Sequence, residues 1–307
     1  MPLVGFRCDV KGEHPFDECI NEGCKCAPPF VLASIRENAR TDYHKGGILT
    51  ATTLTGCPRE TFLTRTQPYY ANPRSLYYSW RGTLIHSILE QRDIPNWIAE
   101  RVYRRKVNGV WLYGKIDGYD EKHKTLYDIK TIGDNGLTYV IKNGCKEDHI
   151  LQTNIYKWIG NGDDTEVCTD EAKDIWEPAK LEIDRIVIVY FSMMECVETG
   201  RANWIEQAYK NPPDQKRLGF VEAFPTGKFG KGGYEKYALQ YDTPEVKFLP
   251  VVDVEEFIEE RMALMHNAFE KDEVPGCPKE IHDWKCNDRY CSVYKDCENL
   301  GGCDDSE

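Results

Sequence analysis

No stretch of this chain is long and apolar enough to cross a bilayer. The longest apolar run, IVIVYF at 186–191, holds six residues, against about 20 for a spanning helix. The opening MPLVGFRCDV has no basic segment followed by an apolar one, so no export leader is expected and the chain reads as cytoplasmic. Positive charge is also in short supply. With 39 Lys and Arg against 51 Asp and Glu, the formal net charge is −12, which argues against broad, nonspecific attraction to a phosphate polyanion. Local patches remain: ERVYRRKVNG (100–109) and GKFGKGGYEKY (227–237) are basic with aromatics interleaved, and each reads equally well as solvated strand and loop surface. No internal repeat, low-complexity tract or helicase motif is present.

What is abundant is cysteine. Thirteen in 307 residues are not expected to pair as disulfides in a reducing compartment, so clusters among them point to metal or iron-sulfur ligands. The 41% hydrophobic content suffices for an ordinary core, and the pattern along the chain is α/β. Residues 1–45 form a Cys-rich appendage with little periodicity; 46–270 carry the periodic segments; 271–307 form a tail with few aliphatics. Within the middle part, WRGTLIHSILEQR predicts a helix with Leu84, Ile85, Ile88 and Leu89 on one face. A hairpin follows, with strands near 109–119 and 125–131, then a helix over 149–160. The acidic segment after it (160–180) reads as a surface insertion, 181–193 as a central buried strand, and about 253–270 as a helix with Val254, Phe257, Ile258, Met262 and Met265 on its apolar side.

The hairpin holds the unusual residues. In YGKIDGYDEKHKTLYDIKT (113–131), alternation puts Asp128 and Lys130 on one side of their strand and Ile129 on the other, and Asp117 can lie opposite them. Two carboxylates beside a lysine must be paired or must coordinate a cation if they are desolvated. Oxygen ligands of this kind suit Mg²⁺ or Mn²⁺. The chemistry that uses such a set is phosphodiester hydrolysis, with the lysine stabilising developing negative charge. Taken alone, Asp-x(10)-Asp-x-Lys is equally the pattern of an exposed hairpin with a salt bridge. Two further pairs accompany it. His86 stands four residues after Gly82 in RGTLIHSILE, and Gln152 and Tyr156 in LQTNIYKW, four apart, share a helix face.

In the order Gly-x(3)-His, Gly-x-x-Asp (Gly114 to Asp117), Asp-x-Lys and Gln-x(3)-Tyr, residues 50–160 resemble the RecB-like branch of the PD-(D/E)xK nuclease superfamily. The resemblance implies a restriction-endonuclease-like core, a central mixed sheet flanked by helices. It also implies a metal-dependent DNA exonuclease acting at single-stranded ends with Mn²⁺ or Mg²⁺. His86, Asp117 and Asp128 would bind the metal, Lys130 would assist the nucleophile, and Gln152 and Tyr156 would position the strand; Glu100 is a further candidate. A rival reading is a DNA-binding or assembly subunit of CRISPR adaptation or phage recombination with only limited trimming activity.

The tail cysteines Cys286-x(4)-Cys291-x(5)-Cys297 need a fourth ligand, for which Cys57 is the natural candidate. This set resembles that of the iron-sulfur nucleases of the same superfamily, the CRISPR-associated exonucleases and the AddB-type nuclease domains. The resemblance implies a [4Fe-4S] cluster joining Cys57 to the tail. Thiolate count alone does not distinguish this from zinc, and Cys277 offers another ligand. The first two tail cysteines have four residues between them, where the commonest family pattern has two. Near the N-terminus, Cys8, Cys19, Cys24 and Cys26, with His14 among them, suit either a separate zinc site or a plain cysteine-containing arm. Cys145, Cys168, Cys196 and Cys303 read as packing or surface residues.

Overall fold

The computed structural model describes residues 3–8, 12–21, 28–39, 48–91, 94–192, 217–219, 224–229, 234–238, 241–276, 286 and 291–300. It divides the chain into two compact units. One comprises Met1–Ser87, Lys106–Tyr113 and Glu255–Glu307; the other comprises Ile88–Arg105 and Gly114–Val254. The class is α/β, with a central mixed sheet flanked by helices.

In the first unit, β1 (Leu3–Cys8) pairs antiparallel with β2 (Gly12–Pro15) and parallel with β4 (Tyr69–Ala71). Two helices, α1 (Phe16–Asn21) and α2 (Pro29–Ala39), accompany them. Phe6, Phe16, Cys19, Leu32, Ile35 and Ala71 form a buried apolar cluster, with Phe6 and Phe16 edge to face at 4.7 Å. The Cys-rich appendage thus has a small apolar core of its own, in which burial of whole aromatic and aliphatic side chains contributes about 1.5–3 kcal/mol each.

The same unit contains β3 (Leu49–Thr50), α3 (Ala51–Thr55), α4 (Pro58–Thr66) and most of α5 (Pro73–Glu90). Thr50 starts α3 with a reciprocal capping box to Thr53. Pro58 at the first position of α4 tolerates its missing N–H where no intrahelical partner exists. The helix over 73–90 is present, and on the face that carries its apolar stripe Ile85 is half-buried. Leu84 and Ile88 are 45% and 54% exposed, while Leu76 and Trp80, a turn or more earlier, are the residues that pack on the N-terminal cluster; the Leu89 side chain lies outside the described residues. Periodicity locates an apolar stripe, but the tertiary neighbours decide whether it is covered.

The second unit is built on the long sheet β11-β14-β10-β7-β6-β5-β8-β9. Its strands are β5 (Trp97–Val107), β6 (Val110–Asp120), β7 (Thr125–Ile132), β8 (Glu166–Asp170), β9 (Ile175–Pro178), β10 (Arg185–Ser192), β11 (Arg217–Gly219) and β14 (Tyr241–Pro244); β12 (Phe224–Phe229) and β13 (Tyr234–Ala238) pair separately. β10 runs parallel to β7 along its whole length, from Arg185↔Thr125 to Ser192↔Ile132, and buries Ile186, Val187, Ile188 and Tyr190. That continuous apolar run is the signature of a strand covered on both faces. Within the acidic segment, β8 and β9 form a hairpin that extends the sheet from β5.

Helices α6 (Asp134–Asn143) and α7 (Glu147–Gly160) follow β7. The helix α8 (Val251–Lys271) buries Val254, Ile258, Met262 and Met265 as its spacing predicts, and the short α9 (Tyr294–Asn299) lies in the tail. The boundary between the units falls inside α5, β5, β6 and α8, each a continuous element.

Candidate active site

The hairpin of β6 and β7 opens at its acids. The strands pair from Asp120↔Thr125 to Gly118↔Tyr127; one residue further on, the Asp117 carboxylate (Oδ2) accepts the Ile129 N–H at 2.6 Å. A side chain has taken the place of a ladder carbonyl. Gly118 is required at this point, since a Cβ there would sit 2.1 Å from the Trp97 ring.

Asp128 is buried, and its Oδ1 accepts a hydrogen bond from Lys130 Nζ at 3.1 Å. Its Oδ2 is also 3.1 Å from Nζ, but it accepts no hydrogen bond and no solvent reaches it. The proximity and the missing bond are compatible: one ammonium aimed at Oδ1 leaves the second oxygen without an aligned proton. A buried carboxylate oxygen in this condition costs free energy unless a cation or donor arrives.

Lys130 continues the network. Its Nζ donates to Gln152 Oε1 at 2.8 Å, and Gln152 Nε2 donates to the Tyr156 hydroxyl at 2.8 Å. All four predicted residues of this group therefore lie on one hydrogen-bonded path from β7 to α7. The Tyr156 ring also accounts for the glycine of Gly-x-x-Asp, because a Cβ on Gly114 would meet it at 3.0 Å. Burial by itself would depress the Lys130 ammonium, but the Asp128 carboxylate, with Tyr156 and Asp117, more than reverses this and raises its pKa. The lysine is a fixed positive charge near neutrality and is not a proton acceptor.

One neighbour was not singled out as functional from sequence. His149, one turn before Gln152 on α7, shares a 2.9 Å hydrogen bond with the Tyr190 hydroxyl. Burial, and then the Lys130 charge, push the imidazole down to about 4. Burial likewise raises the Tyr190 hydroxyl, which stands on β10 in register with Lys130.

Glu100, the further candidate from sequence, has an unusual setting. Its backbone lies in the left-handed region at φ 52°, a conformation that strains a residue with a Cβ by on the order of 1–3 kcal/mol. It breaks the alternation of β5, after which Val102 and Tyr103 are buried in succession. The Glu100 side chain is only 6% exposed and pairs with Lys115 at 2.7 Å. Glu100 and Asp117 each offer one ligand atom, and the two lie within 4.8 Å of one another. Of the other two residues expected to bind metal, Asp128 faces Lys130 and His86 stands on α5 in the first unit. The carboxylate oxygens of the second unit are donors of the kind that fit Mg²⁺ or Mn²⁺.

The basic stretch on β5 has a different character. Arg104 pairs with Glu166 at 2.6 Å and lies 3.9 Å from the Trp176 ring centroid; Arg105 pairs with Asp164 at 2.7 Å and lies 3.8 Å from that of Trp158. Both guanidiniums are held by protein groups.

In the first unit, Cys57 stands at the N-cap position of α4, with no hydrogen bond from its side chain to the helix N-terminus. Arg59 ties the tail to this helix, donating Nε to the Pro275 carbonyl at 3.1 Å and Nη1 to Cys297 Sγ at 3.7 Å. Burial raises the Cys57 thiol, with Cys286 adding to it. Cys291 is pushed up to about 12 by burial first, then by Glu60, Cys57 and Cys297. These mutual effects bring all four expected thiols into one neighbourhood. Cys277, Cys24 and Cys26 lie outside the described residues. Cys19 belongs to the apolar cluster and His14 bonds Glu18 at 3.3 Å, an arrangement that packing accounts for. Cys145 and Cys168 are buried, as read.

Among the described residues, no helix is long and apolar enough to cross a membrane. No family model and no curated protein matches the chain. Among solved structures, the chain is similar to the one described as "Crystal structure of SSO0001", at 15% identity and a TM-score of 0.44, covering 87% of this chain and 93% of that one.

Proposed function

We propose that this chain is a divalent-metal-dependent deoxyribonuclease that hydrolyses phosphodiester bonds at single-stranded DNA ends. The reading rests on one observation above all: the buried, unbonded Oδ2 of Asp128 beside a lysine locked in the ammonium form. A structural salt bridge has no need of an orphaned oxygen, whereas a cation site does. Asp117 and Glu100 would supply further oxygen donors, and His86 is proposed as a nitrogen ligand.

A divalent ion held there would supply Lewis-acid polarisation of a phosphoryl oxygen. Lys130 offers a preorganised positive charge to the oxygen on which negative charge develops. Gln152 and Tyr156 fix the lysine's direction, so that little reorganisation accompanies the reaction. Neutral His149 and its Tyr190 partner back the lysine without adding charge. The second reading, a DNA-binding or assembly subunit in CRISPR adaptation or phage recombination, draws support from the exposed apolar residues Tyr77, Tyr78, Leu84 and Ile88 of α5.

Cys57, Cys286, Cys291 and Cys297 are proposed to hold a [4Fe-4S] cluster that fastens the tail to α4, with zinc as the alternative occupant. Raised thiol pKa values mean that protons must leave when a metal centre forms, so assembly is favoured as pH rises.

The test uses anaerobically purified protein, Mn²⁺ and end-labelled single-stranded DNA, with Asp128→Ala alongside. Metal-dependent shortening by the parent and none by the variant is expected; a parent that binds the DNA without cutting it selects the second reading. Cys291→Ala should lose the brown colour and visible absorption of the parent. A colourless parent with stoichiometric zinc rejects the cluster.

A further inference from the structure

The acid cluster contains two lysines, and they are held differently. Lys130 is anchored at both Asp128 and Gln152, so its ammonium cannot leave without breaking a buried network. Lys115 is 40% exposed along its side chain and pairs with Glu100. It stands two residues before Asp117 on β6, so alternation projects both from the same face. Its four-carbon stem can withdraw towards water at little cost.

Glu100 is the opposite. It is nine-tenths buried at the side chain, on a backbone strained into the left-handed region, and its carboxylate lies within 4.8 Å of a ligand atom of Asp117. A buried carboxylate beside another cannot be left without a cation. An exposed ion pair could be placed anywhere on a strand and gains little, so the pair alone gives no reason for this strain.

We propose that Lys115 is the resident counter-ion of the cation site: it neutralises Glu100 while the site is empty, yields that carboxylate when a divalent cation binds, and so sets the cation concentration at which the site fills. The inference rests on the reading of the acid cluster as a cation site. It assigns the removable positive charge to Lys115 and the permanent one to Lys130.

The experiment is calorimetric titration of the full chain with Mn²⁺ in the absence of DNA. The parent should bind with an affinity that Asp117→Asn abolishes. In Lys115→Met and Lys115→Gln the competitor is gone, and Kd for Mn²⁺ should fall about tenfold, the equivalent of about 1.4 kcal/mol; Lys115→Arg, which keeps the charge, should not tighten binding. Lys124→Met, at an exposed lysine paired with Glu182, measures the general effect of removing one positive charge and should leave Kd within about twofold of the parent, as expected for a screened surface charge. Thermal unfolding supplies a second readout. With chelator present Lys115→Met should melt below the parent, and saturating Mn²⁺ should close the gap. Unchanged or weaker Mn²⁺ binding in both neutral variants, with the parent binding normally and Asp117→Asn not, overturns the role of Lys115 and leaves the cation site standing. A parent that takes up no Mn²⁺ overturns both.

Discussion

At one end of β5, Arg104 and Arg105 are each closed off by an acid and an aromatic ring; at the other, Glu100 joins Asp117 and Asp128 in a set of three carboxylates served by two lysines. The first group is rich in charge, yet each cation has its partner. The second keeps an oxygen with no hydrogen bond, a strained backbone and a lysine that can withdraw. Charge density is similar in the two places, and only unmet demand separates them. A motif search for basic or acidic residues would weigh both ends alike.

The largest expected effect comes from removing the fixed charge. Lys130→Met should slow cleavage of single-stranded DNA by about 10²–10³-fold, the loss seen when one preorganised donor to a developing charge is removed, while DNA affinity measured with the metal omitted changes little. A variant that cuts at the parental rate removes Lys130 from the chemistry.

Next in size is the cost of keeping His149 neutral. Its folded value of about 4 lies below the ordinary 6.5, so between these two the unfolded chain binds the additional proton. Stability in chelator should therefore be intact above about pH 6.5 and fall as pH drops towards 4, by up to about 3 kcal/mol. His149→Asn should flatten that slope in urea titrations at stepped pH. A parental slope retained in the variant would assign the acid sensitivity elsewhere.

The smallest effect belongs to the saturated end. Arg104→Met should cost about 1 kcal/mol or less, the range for a partly exposed ion pair with a stacked ring, and should leave single-strand affinity within about twofold. A large drop in affinity would show that the guanidinium leaves Glu166 for the nucleic acid and would dissolve the contrast between the two ends of β5.

Much of the cluster was legible because its spacings are local. Asp-x-Lys puts two side chains on one side of β7, and Gln-x(3)-Tyr puts two on one face of α7, whatever the surroundings. The path from Asp128 through Lys130 to Tyr156 needed only that these faces meet. Glu100 was a weaker candidate because its place depends on a break in strand alternation, and no residue type near it, such as glycine or proline, marks the break. The N-terminal core was not legible for a related reason: Phe6, Phe16, Leu32 and Ile35 sit at irregular intervals on three short elements, so no single period reveals them as one core.

The amino-acid sequence by itself determined the alternating and helical faces, the buried run of β10, and which acids, lysine and thiols were offered. Tertiary structure alone decided that β6 and β7 part at Asp117, that Glu100 turns in beside it, that Asp128 is left with a bare oxygen, and that Leu84 and Ile88 on the apolar stripe of α5 stay exposed. The physical reason is range: backbone geometry sets where a side chain points within a few residues, whereas whether its charge or apolar surface is satisfied depends on segments brought alongside from far away in the chain.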